Sequence, residues 1–487
     1  MAIYDLVIGN GTLVLPYQGT VQADLGVRNG KIAAIAENIP AADGETFIDA
    51  RGKAVFPGGV DAHFHIGIYN PIVDDAENET RSALVGGVST ILSYFRTGQH
   101  YLNRSGPYRE IFPDVLRAVA GHCYTDYAFH LAIMTSAQLD EIDWLVREQG
   151  VTSFKYYMFY KGLNLAADST DAQSYTMADS YDLGHLFAMM ERIAAAGEGI
   201  TGRVSLSIHC ENAELIKLFI QRVSATGAQT LKAYSDARPP LTEQLSIAEA
   251  MTLANATRCP VNLLHLSSTD ALDEAVHYRR RFGLDQRLET TIHHLSLTYD
   301  TAAGGLNGKV NPPIRSANDV EALWRGVLAG EIDWVASDHA CCLEREKRKG
   351  IWSSLPGFGG TSLLYPVLLS EGYHKRGLPL QRVAELAAAN PARAYGLYPS
   401  KGCIIVGADA DLAIVDLDEE RTVTAAMLLS GQEYTPFEGM RVKGWPTHTI
   451  VRGRLVFANG APIGAPGGEF LRRPAVAERV ETSASPR

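Results

Sequence analysis

Between residues 57 and 399 the chain repeats one alternation: a short apolar run, then a longer segment with apolar residues recurring near every 3.6 positions. The runs are VDAHFH, VSTILSYF, YAFHLAIM, TSFKYYMFY, VSLSIHC, VNLLHLS, ETTIHHLSL and IDWVASDH. Helical segments such as YDLGHLFAMMERIAAAG and EQLSIAEAMTLANAT lie between them. Strands alternating with helices predict an α/β fold, here a (β/α)8 TIM barrel, although a doubly wound open sheet shares the same alternation. The ends obey a different grammar. YDLVIGNGTLVL, ADLGVRNGKIAAIA and ETFIDARGKAVF are short strands broken by Asn-Gly turns, and ADLAIVDL and THTIVRGRLVFANG repeat the pattern near the C-terminus. One small β-sandwich domain built from both termini is expected. Its parts would be 1–56 and 400–470, around a barrel at 57–399, with an arm or frayed tail at 471–487.

At 487 residues, 46% hydrophobic and 20% charged, the chain is long enough for a large barrel plus a smaller domain. A net charge of −11 argues against a nucleic-acid or anionic-membrane binder but permits a local basic pocket. The six cysteines (123, 210, 259, 341, 342 and 403) show no CxxC spacing, and adjacent Cys341 and Cys342 are poorly placed to bridge. All six are expected to be reduced thiols in a reducing compartment. MAIYDLVIGNGTLV has no basic n-region, and no run reaches membrane-spanning length, so a soluble cytoplasmic protein is expected.

Active sites of barrels sit at the C-terminal ends of their strands, which makes the polar residue closing each run informative. In VDAHFH, His63 and His65 are two apart, so a strand places both on one face, able to chelate one ion. His209 in SIHCEN, His265 in LLHLSS and Asp338 in VASDHA follow apolar runs in the same way. A lone strand-end histidine is more often a packed core residue, and HxH alone is a weak signal. Five ligand types at strand ends form a strong set.

Lys155 stands in SFKYYMFY, among Phe154, Tyr156, Tyr157 and Phe159, at the end of the fourth run. An unpaired ammonium there is costly. It either snorkels to the surface, finds a carboxylate, or is held as a neutral amine by desolvation. A neutral amine can add CO2, giving a carbamate whose two oxygens hold one metal each.

The motifs PGGVDAHFH, SFKYYMFY, HCEN, HLSS, VNPPIRS and SDHA resemble the amidohydrolase superfamily. NPARAYGLYPSKGCIIVGADADLAIVD and FEGMRVKGWPTHTIVRGRLV extend the resemblance over almost the whole chain. It is strongest to the cyclic amidohydrolases, and the last two segments look particularly like hydantoinases and dihydropyrimidinases. The resemblance implies two divalent metal ions, most often zinc. His63, His65, carboxylated Lys155 (N6-carboxylysine) and Asp338 would bind one; Lys155, His209 and His265 would bind the other, with a bridging hydroxide. Tyr160, five residues after the lysine, matches the tyrosine that hydrogen-bonds the substrate carbonyl, and Asn311 matches a position that binds the ring amide. Asp338 would carry the proton from water to the leaving nitrogen. The implied reaction is hydrolysis of a cyclic amide, in a homotetramer or dimer, with no nucleic-acid or membrane partner.

The resemblance frays at three places. HFHIGIYNP lacks the arginine that dihydroorotases carry just after HxH. VNPPIRS and the His293–His294 pair look more like dihydroorotases and allantoinases, with His294 a packed loop histidine or a substrate contact. In LPGFGGTSLLYP, Phe358 stands where hydantoinases have a ring-binding asparagine, and Thr361–Ser362 replace the usual acid. Phe358 is thus expected at the substrate, in a more apolar pocket suited to a substituted or aromatic ring. An allantoinase- or dihydroorotase-like hydrolase is the rival enzyme reading. A non-catalytic scaffold is the rival from another class, disfavoured by retention of all six ligands, and Lys155 disfavours a mononuclear deaminase.

Overall fold

The computed structural model describes residues 2–98, 101–160 and 181–473. Eight parallel strands build the barrel: β1 (Gly59–His65), β2 (Val88–Phe95), β3 (Asp126–Ala132), β4 (Ser153–Tyr157), β5 (Ser205–His209), β6 (Val261–Leu263), β7 (Gln286–Thr291) and β8 (Trp334–Ala336). Each pairs with the next in chain order. A short continuation of β8, His339–Ala340, crosses to Phe64 and His65 of β1 and returns the sheet to its start. Closure removes the free edges that an open sheet would have to protect. The doubly wound alternative is thereby excluded.

The crossover helices start where the sequence supplies caps. Asp182 accepts from the backbone N–H groups of Gly184 and His185 ahead of Leu183–Ala196, and Ser316 with Asp319 forms a capping box ahead of Ala317–Leu328. Leu186, Met189, Met190 and Ile193 then fall on one face and bury it against the barrel.

Both termini build the β-sandwich. One sheet holds Tyr4–Gly9, Asp24–Arg28, Lys31–Ala36 and Gly44–Asp49. The other joins the N-terminal strands Thr12–Leu15, Gly19–Gln22 and Ala54–Pro57 to Leu412–Thr422, Arg441–Val451, Arg454–Ala458 and Ala461–Pro462. Leu6, Ile8, Leu25 and Val27 meet Ile414 and Ile450 in their shared core. Pro446 lies within a strand, beside a register shift that accommodates its missing N–H. Lys401 ties sandwich to barrel: its buried ammonium lies 2.6 Å from Asp126, 2.7 Å from Asp411 and 3.0 Å from Asp409.

Three sequence expectations change. Lys155 is the central residue of β4 and not its last, because Met158–Tyr160 turn off into a 3-10 helix. The run VNLLHLS stays extended only through Leu263, so His265 lies past the strand end. The expected frayed arm begins as packed chain: Leu471 N–H donates to Tyr127, and Arg473 is buried with its guanidinium on Ser153 and Phe129 of the barrel. The remainder of that arm, 474–487, lies outside the described residues. All six cysteines are unbridged and buried. Among the described residues no helix is long and apolar enough to cross a membrane.

Candidate metal centre and active site

The strand ends converge on one cavity of about 1290 Å³ at the C-terminal mouth of the barrel. His63, His65, Lys155, His209, His265 and Asp338 all line it, as do Tyr160 and Asn311. The period of two in β1 puts His63 and His65 on one face, as the HxH spacing requires. Asp338 Oδ1 stands 3.1 Å from His63 Nε2 and 3.3 Å from His65 Nε2, and the three side chains offer ligand atoms within 4.8 Å of one another. The rings of His209 and His265 have centroids 4.3 Å apart, and His265 lies 5.2 Å from His63. Asp338 and His265 both have left-handed backbone, at φ of +50° and +37°. Such conformations are disfavoured for non-glycine residues and gather at functional sites, where surrounding structure holds them.

Lys155 resolves two of its three readings. Its side chain is buried, so it does not snorkel. Among the described residues its Nζ has no hydrogen-bond partner and instead lies 4.3 Å from the ring centre of Tyr94 and 4.8 Å from that of Tyr157. Burial draws the amine down from its ordinary value to about 7, against the pull of the Asp338 and Glu289 carboxyls. Burial thus favours the neutral amine over the ammonium.

Burial likewise holds His63, His65 and His265 well below the usual imidazole range and lowers His209 to about 4. Four neutral imidazoles and an acid are the donor types that transition-metal ions take. His65 and His265 each keep a buried Nδ1 with no partner. The chemistry of this donor set, with its orphaned nitrogens and amine, fits a divalent metal centre.

A second ring of residues, absent from the motif reading, orients these donors. Glu289 on β7 places Oε1 2.6 Å from His63 Nδ1, and its other oxygen accepts from Trp334 Nε1 at 2.8 Å. Glu211 takes His209 Nε2 at 2.6 Å, so that contact engages one ring nitrogen only, and is itself gripped by the Arg238 guanidinium. The charge of Arg238 holds the Glu211 carboxyl down at about 2, despite burial. HCEN places Glu211 two residues after a ligand, a signal that was available. Glu289 had only its place in ETTIHH.

Tyr160 sits in the turn after β4 with its ring against Tyr157 and Phe159, and the Arg96 guanidinium lies 5.8 Å from its centre. Asn311 accepts a hydrogen bond from the Tyr234 hydroxyl at the cavity wall. Two expected substrate contacts are placed elsewhere. His294 engages Thr291 Oγ1 at 2.8 Å and the Pro312 carbonyl at 3.3 Å with its two ring nitrogens, and it is absent from the cavity wall. Phe358 is buried against His293 and Phe437, while neighbouring Gly357 faces the cavity. Its backbone carbonyl accepts from Ala340 N–H at 3.1 Å, so pairing beside the β8 continuation turns the ring inward. The expected apolar pocket cannot rest on Phe358.

A closed parallel barrel with a buried histidine, carboxylate and lysine cluster at its mouth, flanked by a two-terminus sandwich, defines a metal-centred barrel hydrolase. The sequence pattern of the Amidohydrolase family matches residues 54–456, and the chain belongs to that family. It is 32% identical to an L-hydantoinase of Paenarthrobacter aurescens, over 97% of this chain and 98% of the relative. It is also 32% identical to an allantoinase of Desulfitobacterium hafniense, over 97% and 99% of the two chains. A solved D-hydantoinase superposes with a TM-score of 0.86 at 27% identity, covering 96% of this chain and 99% of that one.

Proposed function

We propose that this protein hydrolyses a ring amide C–N bond of a cyclic ureide or imide, as a hydantoinase- or dihydropyrimidinase-like enzyme. The observation that carries the reading is Lys155: a buried amine with no hydrogen-bond partner among the described residues, lining the same wall as four imidazoles and Asp338. Its partly neutral state suits addition of CO2, and the resulting carbamate carries the negative charge that two neighbouring cations require. His63, His65, Lys155 and Asp338 would hold one ion, and Lys155, His209 and His265 the other, with zinc the expected metal. Bound there, divalent ions supply Lewis acidity and a water ionised near neutral pH.

The side chains do the rest. Tyr160 donates a hydrogen bond from its hydroxyl to the ring carbonyl oxygen as negative charge develops there. Asp338, whose carboxyl burial pushes above the usual range, accepts the proton of the attacking water and delivers it to the leaving ring nitrogen. Asn311 borders the ring amide. The ring opens to a carbamoyl or related amide acid.

An allantoinase-like reaction on the same site is the second reading, favoured by the 32% identity to the allantoinase. The buried free thiols support a reducing, cytoplasmic setting, and a homotetramer or dimer is the assembly proposed. Turnover of hydantoins, dihydropyrimidines, allantoin, dihydroorotate and cyclic imides, measured beside metal content, tests the reading. Activity on one ring class, lost on chelation and in Lys155→Ala, is the expected result. Two bound metals with no turnover of any ring would reject the substrate class; a metal-free, inactive chain would return the scaffold reading.

A further inference from the structure

Lys309 is a second buried lysine on the cavity wall, two residues before Asn311, and only 3% exposed. Its Nζ donates to one acceptor, the Ser354 carbonyl, and stands 4.8 Å from the ring centre of Tyr234. An ammonium has three N–H groups, so a residue on the cavity wall keeps donor capacity beyond this bond. No carboxylate neutralises it among the described residues. The charges that reach it most strongly are those of Lys347 and Arg238, both cationic. Arg238 is already matched by Glu211. Lys347 is spent on structure, donating at 2.9 Å to the backbone carbonyls of Lys309 and Leu355. Those bonds pin the segment that carries Lys309, so its amine is held in place.

A buried cation without a counter-ion is costly, and the cost is recovered when an anion arrives. Burial and the neighbouring ammonium of Lys347 draw the Lys309 amine down to about 7, and a carboxylate arriving beside it would favour its protonated form. Trp352, Leu355 and Pro356 line the same cavity, so an anion on an otherwise apolar stem would find both its charge and its carbon skeleton matched.

We infer that Lys309 forms a carboxylate subsite, and that the favoured substrate is a cyclic amide whose ring substituent ends in a carboxylate. This rests on the ring-opening reading above and adds the substituent's class. The single charge of Lys309 suits a monoanion.

The test compares hydantoin-5-acetic acid with hydantoin-5-acetamide, its neutral near-isostere, on the metal-loaded enzyme. The expected preference in kcat/KM for the acid is about tenfold or more, the effect of one charge-assisted hydrogen bond, and is carried by KM. Lys309→Met brings the ratio to about one, while Lys309→Arg retains part of it. A wild-type ratio near one overturns the subsite while ring opening stands, and needs no variant to fold. A preference that persists in Lys309→Met overturns it equally. If neither ring opens, calorimetry reads the same ratio as Kd. A Lys309-dependent preference for the acid then keeps the subsite and rejects ring opening, and its absence rejects the subsite.

Discussion

Glu289 Oε1 lies 2.6 Å from His63 Nδ1, a contact between residues 226 positions apart. It fixes which imidazole nitrogen faces Asp338, and the same oxygen accepts the backbone N–H of His265 at 3.2 Å. One carboxyl thus sets the posture of two proposed ligands, one on β1 and one in the loop after β6. Glu289→Gln keeps the shape and loses the charge. It should weaken metal affinity by about 10–100-fold, the usual cost of losing such a partner. Chelator competition measures this, and unchanged affinity would show that Glu289 does not tune the site.

Tyr160→Phe removes only a hydroxyl. If that hydroxyl serves the developing oxyanion, kcat should fall about 100-fold or more with little change in KM. A rise in KM alone would place Tyr160 in ground-state binding.

Stability of the metal-free protein should rise between about pH 7 and pH 8. Lys155 and Lys309 are both lowered to about 7 and Lys347 to about 8, each from an ordinary value of 10.5. Over this window the unfolded chain binds more protons at these amines than the folded one, so the slope with pH is positive. The buried carboxyls of Asp75, raised to about 8, and Glu289, raised to about 7, offset part of this rise. At higher pH the buried thiols oppose it too, because burial raises their values and the unfolded chain loses those protons first. Urea titrations at several pH values measure the slope, and Lys155→Met should reduce it. A flat profile common to both proteins would remove Lys155 from the balance.

Lys401→Met leaves Asp126 and Asp411 buried without their ammonium. Breaking one partner of such a network costs about 3–5 kcal/mol, far more than loss of a surface pair. Chemical denaturation should show it, with metal affinity unaffected because Lys401 joins the sandwich to the barrel away from the cavity lining.

Phe358→Ala should cost about 3–5 kcal/mol in stability, as expected for a buried aromatic. Its folded fraction should keep the wild-type order of preference among rings. A reordered preference would bring Phe358 back to the substrate.

The barrel and five of the six proposed ligands were legible along the chain. Strand and helix periods are local, and a ligand type closing an apolar run in a barrel must come near the mouth. Lys155 was legible only as a puzzle. Sequence order placed it among aromatic residues, but only packing showed that its amine has no hydrogen-bond partner among the described residues. Glu289 beneath His63, the inward turn of Phe358 and the engagement of both nitrogens of His294 were decided by tertiary structure. So was the lack of a carboxylate beside Lys309 among the described residues, since neighbours far apart in sequence meet only in the fold. The sequence by itself determined which donor types arrive at the barrel mouth, because that follows from short-range periodicity. Only the closed barrel decided which of them face the cavity and which are spent on their neighbours, because those contacts join residues that the sheet alone brings together.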